Sequence, residues 1–251
     1  STSRRQRQMC IRDSCEDRSF IRVGAVKPIS MISGDESVRQ AWKSLLCHLV
    51  HSGIPSDDKR AAVVKAAVAG GLNTIKSSSM GRLFDAVSAA LGLADYNTYQ
   101  GRCAMLLENQ AALAKREGKI PTELSFNEEV VETENGSFTF FDPAPLWGKV
   151  MGEDKAAAAL GFHEAVIRMV ERMAEKTGVE TIILSGGCFA NRLLLEGCVE
   201  TLKGKGHAVY WNQALPTGDG GLAFGQAWYG MNTANERKSY VRSISGACGN
   251  H

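Results

Sequence analysis

The run Thr181–Glu196, TIILSGGCFANRLLLE, limits the fold more than any other part of the chain. An apolar, β-branched stretch, Glu180–Leu184, reads as a buried strand. It ends in Ser185-Gly186-Gly187, and a helical pattern follows over Arg192–Leu202. A strand that turns through a glycine pair into a helix is a building unit of α/β proteins. The pattern continues with a strand at His207–Trp211, a loop at Pro216–Gly221 and a helix at Leu222–Tyr229. Upstream lie a short strand at Phe138–Phe141, a Pro143-Ala-Pro145 turn and a long helix over Glu153–Lys176. Phe162, Val166, Met169, Val170 and Met173 form that helix's inner face, and Thr177-Gly178 stops it. Strand and helix alternating at these spacings argue for a parallel sheet flanked by helices.

The first half is richer in helix. Ile21–Ile32 has room for one or two short strands around Pro28. Helices are predicted over Glu36–His51, carrying Trp42, Leu45, Leu46 and Leu49, and over Lys59–Val68, capped by Ser56 or Asp57. Ser77–Ser79 leads through Gly81 into a helix over Leu83–Leu91, with Leu83, Phe84, Val87 and Leu91 on one side. Arg102–Arg116 is helical again. The organisation expected is a leader at 1–14, a helix-rich part at 15–135, an α/β lobe at 136–231 and a polar tail at 232–251.

Composition excludes several classes. The net charge of +2 gives no basic stripe, so a nucleic-acid partner is not expected. Seven cysteines without a CxxC pair argue against a disulfide framework or zinc ribbon, and suit a reducing cytoplasm. No apolar run reaches the roughly 18 residues of a membrane helix, and no signal peptide follows the basic N-terminus. Ser1–Ser14 lacks periodicity, and its MCIRDS string resembles translated sequencing-adapter sequence. The native sequence is therefore expected to begin near Cys15, with a disordered basic tail as the alternative.

Three segments carry chemistry. In Thr181–Glu196 the glycines let a ligand approach the backbone, and the helix start offers free N–H groups to an anion. Asn191 adds a donor and an acceptor. The residues fit phosphate or nucleotide binding, or a plain tight turn with Ser185 as a cap. They form neither a P-loop nor a GxGxxG fingerprint. In Leu215–Trp228, Asp219 between two glycines is either a helix cap or an oxygen ligand to a metal. In Ser77–Leu93, Asp85 lies one turn beyond Gly81 and can accept from ribose hydroxyls, or stand as a surface carboxylate. His48 and His51, three residues apart, fit two half-exposed helix residues better than a metal pair. His163 reads as a packed core histidine, and Cys188 as a small buried residue without a base.

Taken in order, SSSMGRLFDAV, YQGRCAMLLE, Gly161-Phe162-His163, LSGGCFANRLL and PTGDGGLAFGQ resemble the motifs of the C-terminal, TsaD-like transferase domain of the HypF carbamoyltransferase family. The resemblance spans about Ser19 to Trp228 and implies an α/β lobe of the actin/Hsp70/sugar-kinase type with a helix-rich insertion. It implies a carbamoyltransferase of [NiFe]-hydrogenase maturation. Such an enzyme binds ATP-derived carbamoyl-adenylate and passes carbamoyl to the C-terminal cysteine of the HypE protein. Carried over by position, Asp85 holds the ribose, while Gly81 and Gly101 line the nucleotide pocket. Ser185, Gly186, Gly187 and Asn191 face the nucleotide, and Asp219 binds a divalent metal such as zinc, iron or magnesium. Gln100, Arg102 and Ala190 depart from the family pattern. The HHHAH motif that supplies the metal histidines is absent from this chain, so turnover by the chain alone is not expected. Other readings are an O-carbamoyltransferase or tRNA threonylcarbamoyl transferase of the same superfamily, or a non-catalytic nucleotide-binding module.

Overall fold

The computed structural model describes residues 11–16, 19–32, 34–134, 136–152 and 154–232. Most of the expected leader, and the tail beyond 232, lie outside the described residues. Ile11–Glu16 (β1), which begins inside the expected leader and runs past its end, pairs antiparallel with Ser19–Val26 (β2). β2 runs parallel to Gly136–Asp142 (β6), and β6 pairs antiparallel with Asn127–Thr133 (β5). The result is a mixed four-stranded sheet in the order β1-β2-β6-β5. The short strand read at Phe138–Phe141 is the middle of β6, and its parallel neighbour is β2. Ile29–Ile32 (β3) pairs antiparallel with Thr74–Ser77 (β4) in a second sheet. β3 falls in the stretch around Pro28 where one or two short strands are expected. β4 is new, because TIKS carries no alternation that marks a strand.

The helices follow the apolar spacing closely. Ala41–His51 (α1) starts later than expected, after a 3-10 turn at Gly34–Val38. Ala61–Ala69 (α2) is not capped by Ser56 or Asp57; the Asp58 carboxylate instead accepts from the Arg60 N–H at 2.9 Å. Met80–Ala90 (α3) is capped by Ser79, whose Oγ accepts from the Arg82 N–H. Its Leu83, Phe84 and Val87 are buried, as the spacing predicts. Arg102–Arg116 (α4) has the predicted ends, and its N-cap Gly101 takes φ +78°, a left-handed conformation that favours glycine. A short helix, Trp147–Val150 (α5), precedes Lys155–Thr177 (α6). Asp154 caps α6 by accepting from two N–H groups, and Gly178 at φ +62° ends it. α6 packs on α4 and on Arg192–Gly204 (α7), while α1 packs on α3. The core sits between these helices, around Phe162, Leu83, Leu107 and Leu46.

Thr181–Leu184 (β7) and Ala208–Trp211 (β8) pair in a two-stranded sheet. The expected burial of β7 holds only at Leu184; Ile183 is 72% exposed. A 3-10 turn at Asp219–Gly221 leads into a helix over 222–232 (α8).

Contacts divide the chain into two compact units. Of the described residues, the first takes those up to 182 and 191–209, the second 183–190 and 210–232. This division does not fall at residue 135, since β6 follows that point and pairs with β2 and β5, which both precede it. The architecture is mixed α/β, and among the described residues no helix is long and apolar enough to cross a membrane.

Candidate functional site

In the first unit, the motifs meet at the start of α7. Asn191 is its N-cap, and its Oδ1 accepts from the Leu194 N–H at 2.8 Å. The Asn191 amide nitrogen lies 2.9 Å from His163 Nε2 on α6. His163 Nδ1 is 2.8 Å from the Ala159 carbonyl. That carbonyl only accepts, so Nδ1 carries the proton and Nε2 is the acceptor for Asn191. Burial holds the His163 ring well below its ordinary pKa, at about 4, so it is neutral at pH 7. His163 is thus the satisfied core histidine that the sequence suggests. Phe84 of α3 meets its ring edge-on at 5.5 Å.

The helix start itself differs from expectation. The anion reading of this segment needs free N–H groups, yet Glu108 of α4 already fills them. Its Oε1 accepts from the Arg192 N–H at 2.7 Å and the Leu193 N–H at 3.4 Å. A side-chain carboxylate at a helix N-terminus is favoured by the same dipole and donors that would bind a phosphate. Glu108 stands in the YQGRCAMLLE motif, but its partners are more than 80 residues away. Helical spacing therefore gave no sign of the contact.

Asp85 departs further. It is not a surface carboxylate: it is 1% exposed, and Arg82 Nη2 lies 2.8 Å from its Oδ2. Arg82 also donates to the Ser37 carbonyl. Burial pushes the Asp85 carboxyl above its ordinary range, while Arg82 and the Asn97 amide pull it back. The Arg82 contact is close enough for an ion pair but too poorly directed for a hydrogen bond, so Oδ2 remains one donor short. Ribose contact as expected requires an accessible carboxylate, and this one is turned inward. Gly81 and Gly101 are half-buried. A Cβ at Gly101 would meet nothing within 4 Å, and one at Gly81 only Ser79 Oγ at 3.7 Å. Both leave open space beside the backbone, as a ligand-lining glycine must.

In the second unit, two further motif segments touch each other. The Gly186 N–H donates to the Thr217 carbonyl at 2.9 Å. Gly186 takes φ +102°, which explains the glycine. Gly187 is exposed with open space where a Cβ would be. Ser185 is not a cap: its Oγ donates to Asn212 Oδ1 at 2.9 Å. Cys188 is half-buried rather than buried; Phe189 is the residue that packs inward. Asp219 is exposed and makes no capping bond. Gly221 is needed because a Cβ there would run into the Pro216 carbonyl.

Among the described residues no group of three or more His, Cys, Asp or Glu side chains could hold a metal ion. His48 and His51 do not form a metal pair. His48 is buried beside Trp147, contrary to the half-exposed reading, while His51 pairs with Asp142 at 3.3 Å. The open space beside Gly81, Gly101 and Gly187 leaves room for a ligand at the backbone, whereas Asp85 is closed off by Arg82.

Comparison with known proteins bears on these motifs. A family model described as "Carbamoyltransferase, Kae1-like Domain, second subdomain" matches residues 14–226. The carbamoyltransferase HypF of Rhodobacter capsulatus is 34% identical over 222 residues, covering 84% of this chain and 28% of that protein. Carbamoyltransferase HypF2 of Cupriavidus necator is 28% identical over 242 residues, covering 85% and 30%. A crystal structure of full-length HypF in the phosphate- and nucleotide-bound form superposes with a TM-score of 0.70 at 26% identity, covering 86% of this chain and 29% of that one. The chain therefore spans less than a third of the length of these relatives.

Proposed function

We propose, for a chain that belongs to the HypF carbamoyltransferase family through the second subdomain of its Kae1-like domain, that it supplies the nucleotide-facing part of a carbamoyl-transfer site. The observation that carries this reading is the convergence on the start of α7. Residues from the GRLFDAV, YQGRCAMLLE and Phe-His segments, far apart in the chain, together fix Asn191 and the residues after it. The nucleotide we assign is ATP-derived carbamoyl-adenylate. The acceptor is the C-terminal cysteine of a HypE-type protein in [NiFe]-hydrogenase maturation, and the fold is a lobe of the actin/Hsp70/sugar-kinase type.

Each residue has a limited part. Gly81, Gly101, Gly186 and Gly187 let the nucleotide approach the backbone. Ser185 presents a hydroxyl beside that glycine pair. Asn191 has one amide hydrogen and one lone pair left after its internal bonds, and these address the ligand. Asp85 takes a ribose hydroxyl at Oδ2 only when Arg82 turns aside. In the transfer, the acceptor thiolate attacks the carbamoyl carbon, the carbonyl–phosphate bond breaks, and AMP leaves with the electron pair. The remaining hydrogen of the Asn191 amide is the donor we assign to the charge that develops on the leaving phosphate. Asp219 would be a ligand to a divalent metal.

The test uses the full-length gene product with labelled carbamoyl phosphate, ATP and a HypE C-terminal peptide. We expect label on the peptide cysteine, and its loss in Asp219→Ala. Transfer to tRNA instead, or unchanged transfer by Asp219→Ala, would contradict the reading.

A further inference from the structure

His163 has no place in the transfer chemistry, yet it is fully buried and both its nitrogens are used. Its proton is fixed on Nδ1 by the Ala159 carbonyl, so Nε2 offers a lone pair and nothing else. Asn191 answers with its amide N–H, and that choice sets the other end of the amide. Oδ1 then faces the Leu194 N–H. A flipped amide would put Oδ1 against the Nε2 lone pair and the NH2 group against the Leu194 N–H. Both contacts would be repulsive, so a single orientation survives. Glu108 holds the next two amides of the same turn, which leaves the helix start no freedom to rotate around Asn191. The Phe84 edge and Phe162 close the other sides of the ring.

We infer that His163 is a positioning residue for nucleotide binding, acting through Asn191 by locking its amide so that the one free hydrogen and the one free lone pair always point the same way. The inference rests on the nucleotide reading of Asn191 given above. A preset amide adds no contact. It removes the cost of ordering a rotatable polar group when the ligand arrives.

The experiment is a double-mutant cycle on the full 251-residue chain with AMP as the probe. His163→Phe removes the lone pair and keeps a ring that suits its Phe84 and Phe162 neighbours. The variants are H163F, N191A and the pair, with AMP affinity measured for each and thermal midpoints recorded alongside. We expect H163F and N191A each to weaken AMP by about tenfold, the scale of one lost or misdirected hydrogen bond. The double variant should be no weaker than N191A alone, since His163 then has nothing to hold. Losses that multiply in the double variant would show a general structural role and overturn the inference. So would H163F binding like wild type while N191A is weakened, which would leave the nucleotide reading intact. Wild-type chain that does not bind AMP at all would overturn both.

A second measurement needs neither ligand nor a folded variant. In the wild-type NMR spectrum the Asn191 side-chain amide should be a resolved, slowly exchanging pair, with His163 in the Nδ1–H tautomer. A freely exchanging Asn191 amide, or the other tautomer, would refute the lock.

Discussion

Two histidines decide how this protein responds to mild acid. Burial holds His163 at about 4 and His48 at about 3, against an ordinary value near 6.5. The folded chain keeps both rings neutral while the unfolded chain protonates them, so the unfolded state binds more protons below pH 6.5. Stability is then fully present above that pH and is lost as pH falls toward the folded values. The slope reaches up to about 1.4 kcal/mol per pH unit for each histidine. Urea unfolding at pH 7, 6 and 5 should show midpoints falling with pH, and H163F should fall less steeply. A flat profile from pH 7 to 5 would mean that the rings are not buried neutral. At this scale the sequence was only partly readable. It marked His163 as a core histidine, but it placed Asp85 and His48 too near the surface. Nothing in local spacing shows that a polar residue on an apolar helix face is turned inward to a partner on another element.

Helices were readable where their apolar face is continuous and their ends are marked. Arg102–Arg116 was found with its true ends, because Gly101 precedes it and its inner face repeats at helical spacing. Strands were harder. Asn127–Thr133 reads NEEVVET and is exposed along its length, so it lacks the alternation that betrays a half-buried strand. Glu128 instead faces α6, where it meets Arg172 at 3.0 Å and Lys176 at 2.7 Å, while Glu129 meets Lys27 at 2.6 Å. Such a charged outer strand also resists pairing with other chains. Gly161 lies inside α6, two turns from its start, where propensity and packing pull in opposite directions. Helix propensity alone says that alanine there stabilises, by about 1 kcal/mol. Packing says the opposite, because a Cβ would drive into the Thr122 carbonyl. We expect Gly161→Ala to lower stability by about 2 kcal/mol, the usual scale of overpacking. Chemical denaturation reads the sign directly, and a stabilised variant would show that α6 does not rest on the Thr122 backbone.

On the scale of the whole molecule, the family was legible because five short motifs occur in the right order. The arrangement that joins them was not. The Gly-rich segment looked like an open anion site, but Glu108 fills the helix start that follows it. The strand before it looked buried, but Ile183 is largely exposed. Contacts more than 80 residues apart leave no periodic trace, so the sequence named the participants without showing which of them face a ligand and which hold one another. The central claim is that the glycines of these motifs line a nucleotide. Labelling the chain with 15N-glycine and titrating AMP tests it most directly. The account predicts saturable shifts at Gly81, Gly101, Gly186 and Gly187, with Gly118, Gly136 and Gly204 unmoved; no saturable shift, or shifts confined to those three, would contradict it.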